Sequence, residues 1–325
     1  MMRSRIRLSI GLGAMVASIG TAGTPAHAAA PHITEYSVPT TGSHPQGITT
    51  GPDGNLWFVE YSRSQVTRLT TNGTFTEYTT PTSQSQPEQI TTGADGNLWF
   101  TEHNGPTAGH IGRATPAGVI TEYRIGTPHV HPFGITLGSD GNVWFTEGTK
   151  GKVGRITPQG NVVEVKLPTF DTPWGITSGP DGNLWVADMF SRIDRVTPTG
   201  TVDEFTAHQT PIGITAGPDG FLWFTVTNTN EIGRISTDGA TISYFAIPTA
   251  SSGALNITTG PDGFIWFTET DVNKIGRLDP ADPTRIQELT IPTPNSQPWG
   301  ITTGPDGRIW FTEEHGNKVG TVTLG

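Results

Sequence analysis

The residues of this sequence that could bind a ligand stand just before a short segment that recurs along the chain as G-I-T or a close variant. The residue directly before the segment changes from copy to copy and is, in chain order, Gln46, Glu88, Phe133, Trp174, Ile212, Leu255 and Trp299. Two positions earlier the chain carries His44, Gln86, His131, Thr172, Thr210, Gly253 and Gln297. Aromatic rings beside His, Gln and Glu suit a flat, partly apolar ligand better than a bare ion or an anionic polymer.

A second set of candidate residues consists of acids that recur about a dozen positions after each G-I-T segment. Six copies carry one, whereas Val226 takes the place in the fifth copy; the acids are Glu60, Glu102, Glu147, Asp188, Glu269 and Glu313. Carboxylates gathered near one axis would raise one another's pKa or bind a hard cation such as Mg²⁺ or Ca²⁺. Alternatively, each acid makes a structural bond to a neighbouring copy, and its presence in six copies favours this use.

The elements that must position these residues follow from an internal repeat. The frame G-I-T-x-G-P-D-G-N-L-W-F-T-E occurs, with variations, seven times along the chain, and the tryptophans in it are Trp57, Trp99, Trp144, Trp185, Trp223, Trp266 and Trp310. Each copy holds four short runs suited to β-strands, separated by turn residues such as Pro-Asp-Gly and Asn-Gly. A four-stranded period near 40 residues is typical of a propeller blade. The sequence therefore predicts an all-β, seven-bladed β-propeller of four-stranded blades.

This architecture gives the repeated and the variable residues different expected roles. The Asp of each Pro-Asp-Gly turn should accept hydrogen bonds from its own turn, and each repeat Trp should fill the space between blades. The variable residues before G-I-T lie two apart in an extended stretch, so they should face the same way and line one mouth of the central channel. Alternatively, Trp174 and Trp299 fill the channel as ordinary core.

The two ends of the chain predict how the ring closes. An outer-strand run, Ile33 to Thr40, precedes the first G-I-T segment, and the chain stops after a third strand near Lys318 to Val322. The last blade lacks an outer strand and the N-terminus has one to spare. We expect the two to pair, because pairing hides two sheet edges, and residues 31–325 then form a single domain.

The first 30 residues have the pattern of a secretory signal peptide. Arg3, Arg5 and Arg7 precede an apolar stretch, and small residues around Ala28 follow it. The sequence therefore predicts a secreted, extracellular protein. A net charge of −10 without a basic stripe argues against nucleic acid, no run is long enough to span a membrane, and the absence of Cys excludes thiol chemistry.

The repeat frame is followed by segments of the form N-K-I-G-R and T-E-Y-x-I-P-T. Together they resemble the repeat of the virginiamycin B lyase (streptogramin B lyase) family. Segments such as Asn273 to Arg277 and Asn317 to Gly320 carry the resemblance closely. The resemblance implies a monomeric seven-bladed propeller that opens a cyclic depsipeptide antibiotic by elimination at its ester, an antibiotic-resistance activity. It also implies a Mg²⁺ held by acids, which polarises a carbonyl, and a His that removes the adjacent proton.

The sequence departs from this pattern where the resemblance implies catalytic groups. Leu255 and Trp299 stand where the family has His in P-H-(G/A)-I-T segments of the last two blades. Gln297 replaces an acid, and Gln46 replaces an aromatic hydroxyl of the first blade. Glu313 alone keeps a position suited to the metal.

Two functions therefore stay open. In one, the protein is a lyase-like enzyme with a substitute base, for which His131 and His315 are the candidates and His44 is a further available imidazole. In the other, it is a non-catalytic extracellular propeller that binds a ligand or serves as a scaffold. We expect a small-molecule or cyclic peptide ligand at the channel mouth, with depsipeptide cleavage absent or far slower than in the family.

Overall fold

The computed structural model describes residues 31–103, 109–169 and 172–324, which form seven antiparallel sheets of four strands each. The innermost strand of each sheet contacts the innermost strands of the two adjacent sheets, which closes them into a ring. The predicted seven-bladed β-propeller is confirmed. The predicted signal peptide, residues 1–30, lies outside the described residues. The described part of the chain contains no helix that could cross a membrane.

The strands are numbered β1 to β28 along the chain. From blade one to blade seven, the innermost strands are β2 (Pro45–Thr50), β6 (Pro87–Thr92), β10 (Pro132–Leu137), β14 (Pro173–Ser178), β18 (Pro211–Ala216), β22 (Ala254–Thr259) and β26 (Pro298–Thr303). The second strands are β3 (Leu56–Glu60), β7 (Leu98–Glu102), β11 (Val143–Glu147), β15 (Leu184–Asp188), β19 (Leu222–Val226), β23 (Ile265–Glu269) and β27 (Ile309–Glu313). The third strands are β4 (Gln65–Leu69), β8 (His110–Ala114), β12 (Lys152–Ile156), β16 (Arg192–Val196), β20 (Glu231–Ile235), β24 (Lys274–Asp279) and β28 (Lys318–Thr323). The outer strands are β5 (Phe75–Thr79), β9 (Ile120–Arg124), β13 (Val162–Lys166), β17 (Val202–Thr206), β21 (Ile242–Ala246), β25 (Asp282–Thr290) and, in blade seven, β1 (His32–Ser37).

The N-terminal strand closes the ring as expected. β1 pairs antiparallel with β28, placing Ile33 opposite Val322 and Tyr36 opposite Val319. The Tyr36 ring stacks on Trp310 with 5.7 Å between centroids. The last blade therefore combines three C-terminal strands with one N-terminal strand, and β1 covers the edge of β28 that would otherwise be open.

The repeated Trp and Asp residues hold the blades together. Trp57 is fully buried among residues of blades one and two, and its indole nitrogen donates to Asp53 Oδ1 at 3.0 Å. The same bond forms in all seven copies at 3.0–3.1 Å. Because buried indole N–H groups need an acceptor, the Pro-Asp-Gly turn supplies it. The structural interpretation of both residues is confirmed.

The inner strands approach one another so closely that most blades need a glycine there. A Cβ added to Gly47 would lie 2.7 Å from the backbone of Gln89, and one on Gly300 would lie 2.5 Å from the Gln46 carbonyl oxygen. Blades two and six differ, since they carry Gln89 and Asn256 at this position. These two side chains are therefore placed inside the channel, whose central cavity of about 120 Å³ they help to line.

Candidate functional site

The variable residues meet at one end of the ring, which we call the mouth. Each inner strand begins opposite the end of the second strand of its blade, as Pro45 does opposite Glu60. The residue before the inner strand accepts a hydrogen bond from the residue after the second strand: Tyr61 N donates to the His44 carbonyl at 3.1 Å. The mouth therefore has two sets of variable residues, one before and at the start of each inner strand and one after each second strand.

The expectation that both residues before G-I-T lie in one extended stretch is wrong. The earlier residue has a left-handed backbone in five blades, with φ of 50–65° at His44, Gln86, Thr210, Gly253 and Gln297. This conformation turns the chain sharply into the inner strand. The earlier residue consequently belongs to a tight loop at the rim, whereas the later residue belongs to the inner strand itself.

An aromatic shelf on blades three and four forms one side of the mouth. The rings of Phe133 and Trp174 stack with 4.1 Å between centroids and 17° between planes. Phe133 is 8% exposed, whereas Trp174 is half-buried and open to a ligand. Trp299, only 7% exposed, packs as core, which was the alternative for both tryptophans.

Next to this shelf, a buried carboxylate holds an imidazole. Glu88, 5% exposed, lies with its Oε2 3.0 Å from His103 Nδ1. The His103 ring is 4.3 Å from the His131 ring and 5.2 Å, edge-on, from Phe133. Burial raises the pKa of Glu88; the hydrogen bond from His103 opposes this rise, and the nearby Glu314 adds to it.

Blade one and blade seven contribute further polar groups near Glu88 and His103. Gln46 Nε2 donates to Glu314 Oε1 at 3.2 Å. The Tyr61 ring lies edge-on to His103 at 6.5 Å, and its pKa is raised by burial and then by the charges of Glu88 and Glu314. The Tyr61 hydroxyl therefore stays protonated and can donate a hydrogen bond to a ligand.

The two proposed substitute bases lie in different groups. His131 packs on His103, and burial, followed by His103, Lys150 and His129, lowers its pKa. His315 is exposed, and its ring lies 5.6 Å from that of His44 in blade one. His44 Nδ1 in turn is 3.0 Å from Ser62 Oγ.

Sequence reasoning missed the residue that follows each second strand. Tyr61, His103 and Glu314 occupy this place in blades one, two and seven, directly after the shared acid. The signal was available, because this position varies among copies as strongly as the residue before G-I-T. His103 opens the connection from β7 to β8, whose residues 104–108 lie outside the described residues.

The shared acids do not face the mouth. Glu313 is fully buried, and burial, followed by the neighbouring Glu35, raises its pKa to about 8, while Lys318 opposes the rise. Lys318 Nζ and Thr293 bind Glu35 instead, at 2.9 and 3.0 Å. Blades three and six repeat this arrangement around Glu147 and Glu269.

The residues around Glu313 do not fit a Mg²⁺ site. The neutral Gln297 side chain adds no negative charge for a cation to bind. The positive charge of Lys318 acts on Glu313 and would repel a metal ion there. Among all described residues there is no group of three or more His, Cys, Asp or Glu side chains that could hold a metal ion.

Comparison with known proteins gives consistent results. The family model of the virginiamycin B lyase family matches residues 26–206 and 171–325. A solved streptogramin B lyase is 36% identical with a TM-score of 0.85, covering 91% of this chain and 98% of that one. A catalytically inactive histidine-to-alanine variant of virginiamycin B lyase from Staphylococcus aureus, solved with quinupristin, is also 36% identical with a TM-score of 0.85, covering 91% of this chain and 100% of that one.

More distant structures share only the fold. Hydrazine synthase from Kuenenia stuttgartiensis is 16% identical with a TM-score of 0.72, covering 89% of this chain and 97% of that one. No curated protein matches the chain.

Proposed function

This chain belongs to the virginiamycin B lyase family, and from that premise we propose that its mouth binds a cyclic depsipeptide or a similar cyclic peptide with aromatic side chains. The observation that carries the proposal is the stacked pair of Phe133 and Trp174, which lies beside the polar groups of Glu88 and His103. A concave site with an aromatic wall and a few fixed polar groups is the usual form of a small-ligand site.

The family supports this ligand class. The S. aureus relative was solved with quinupristin, and this chain aligns with all of that protein at 36% identity. The shared fold, with a TM-score of 0.85, supports a ligand of the same class. The side chains that would contact a ligand are nevertheless this protein's own.

Cleavage through the family's own positions is expected to be absent or far slower than in the family. A histidine-to-alanine change leaves the S. aureus enzyme catalytically inactive. Here, Leu255 and Trp299 stand where the family resemblance implies histidines, and neither can accept a proton. Binding is therefore the primary activity that we propose.

Binding of quinupristin, a type B streptogramin, to the purified protein tests the proposal by calorimetry. Trp174→Ala should weaken binding about tenfold or more, because burying an indole against a ligand is worth roughly 1.5–3 kcal/mol. Trp185→Ala is the matched control, since Trp185 is fully buried between blades and its loss should lower stability rather than affinity. Trp299→Ala should have the smaller effect of the two mouth variants. An unchanged Kd in Trp174→Ala, or no binding by the wild type, would refute the proposed site.

We further propose that residues 1–30 direct export and that the mature protein acts outside the cell as a monomer. The order of basic, apolar and small residues supports the export signal. Intact-mass measurement of the secreted protein should find cleavage after Ala28 or Ala30, and a mature N-terminus beyond Tyr36 would contradict both this proposal and the closure of the ring.

A further inference from the structure

We propose that His103, held by Glu88, is the catalytic base of the mouth and removes a proton from the carbon next to a carbonyl of the bound depsipeptide. The inference rests on the proposed function, because it needs the ligand to be bound there. It assigns the base to blade two, whereas the family resemblance implies histidines in blades six and seven.

The pair has the geometry of an oriented imidazole. Glu88 lies at the start of β6 and His103 directly follows β7, so neighbouring strands of one blade carry the two groups. A proton on Nδ1 donated to Glu88 at 3.0 Å leaves Nε2 with a free lone pair. Nε2 makes no hydrogen bond to another described residue, and 23% of the His103 side chain is exposed at the mouth. A carboxylate that fixes the tautomer and stabilises the imidazolium is a recurring device for proton abstraction.

The groups that face His103 support this role. His131 covers the ring at 4.3 Å, and its lowered pKa keeps it neutral, so it does not repel the imidazolium that forms. Tyr61 lies at its edge with a hydroxyl that stays protonated and can donate to a carbonyl oxygen. Phe133 places the aromatic shelf against the same ring at 5.2 Å. The base and the aromatic shelf therefore lie in the same part of the mouth.

The step balances without a co-reactant. His103 Nε2 takes the proton from the carbon between the carbonyl and the carbon that bears the ester oxygen. The electron pair of that C–H bond forms a carbon–carbon double bond, and the bond from carbon to ester oxygen breaks. The ester leaves as a carboxylate, which opens the ring, and the imidazolium returns its proton to water.

The experiment uses the full mature protein with quinupristin and measures three quantities. Calorimetry gives the Kd, mass spectrometry gives the ring-opening rate, and incubation in D₂O gives deuterium uptake at the carbon next to the carbonyl. His103→Gln should lose at least ~10²-fold in ring opening and deuterium uptake when both are compared at saturating quinupristin, so that a change in Kd does not enter the comparison. His208→Gln is the matched control, because His208 pairs with Glu231 at 2.9 Å but stacks on Tyr244 of the outer strand β21.

Glu88 is a positioning residue, and Glu88→Gln separates its charge from its shape. The amide still accepts the Nδ1 proton, but the imidazolium loses its counter-charge. Ring opening should therefore slow by up to about 10⁴-fold, as when an amide replaces the carboxylate behind a catalytic His, and the shape of its pH profile should change. A merely structural role would change the unfolding temperature and leave the shape of the profile as it was.

The outcomes distinguish the two proposals. Absence of binding in the wild type overturns the proposed function and this assignment with it. Binding without ring opening or deuterium uptake overturns the assignment of a base and leaves the binding function standing. Activity that survives His103→Gln but is lost in His131→Gln or His315→Gln overturns the choice of His103.

Discussion

Gln89 and Asn256, which belong to blades two and six, join across the central channel: Gln89 Nε2 donates to Asn256 Oδ1 at 3.3 Å. Asn256 Nδ2 also donates to the Trp299 carbonyl at 3.0 Å. The other five blades carry glycine at this position. The two amides therefore form a floor beneath the mouth, so that a ligand entering from above meets a polar surface rather than an open channel.

Replacing either amide should weaken the ring, and Asn256→Ala should cost more than Gln89→Ala. Gln89→Ala removes one neutral hydrogen bond between side chains, worth about 0.5–1.5 kcal/mol, whereas Asn256→Ala also leaves the Trp299 carbonyl without this donor. Urea unfolding of both single variants and the double variant measures the free energies of unfolding. A coupling energy near zero in this cycle would show that the bridge contributes nothing in solution.

The N-terminal strand should be needed for stability. A chain that starts at Gly42 loses β1 and with it the Glu35 bonds to Lys318 and Thr293 and the Tyr36 ring on Trp310. We expect a much lower unfolding temperature and association through the exposed edge of β28. A chain that starts at Pro31 is the control. Equal unfolding midpoints and monomeric elution of both chains would show that β1 is not needed to close the ring.

Removing metal should leave binding and stability unchanged. The Glu313 carboxylate is buried beside Glu35 and Lys318, and the described residues assemble no metal cluster. EDTA should therefore shift neither the Kd for quinupristin nor the unfolding temperature, and Glu313→Gln should bind as the wild type does. Loss of binding in EDTA, restored by Mg²⁺, would contradict this prediction. It would indicate that Glu313 holds a metal, as the family resemblance implies.

The fold could be predicted from the sequence because every repeat contains the residues that make its main interactions. A Trp and an Asp equivalent to Trp57 and Asp53 occur in all seven copies, so the same local hydrogen bond forms in every blade. The site was predicted only in part, because it is built where copies differ. Glu88, Phe133 and Trp174 stood out before G-I-T, but nothing local shows that His103 would meet Glu88, since the contact depends on how two strands pair.

The buried acids should make stability fall as pH rises. Burial raises the pKa of Glu269 to about 8, whereas the ordinary value is 4.5, so the folded state keeps a proton that the unfolded state releases. This contribution is fully present below pH 4.5 and is lost as pH rises towards 8. Glu35 and Glu288 act in the opposite sense, because their lowered pKa values stabilise the fold above about 4.5 and that contribution is lost at lower pH. Stability should therefore be greatest near pH 5.

Glu269→Gln tests this directly, because an amide of the same shape cannot ionise. Blade five already shows that the position tolerates an uncharged residue, since it carries Val226. The variant should match the wild type near pH 5 and be more stable at pH 8–9 by on the order of 1–3 kcal/mol. Asp282→Asn, at an exposed acid of the same blade, is the control and should change little at either pH. The quantity to measure is the free energy of unfolding in urea from pH 5 to 9. A wild-type profile that stays flat over that range would mean that the buried carboxyls ionise at ordinary pH, and Glu269→Gln would then stabilise nothing.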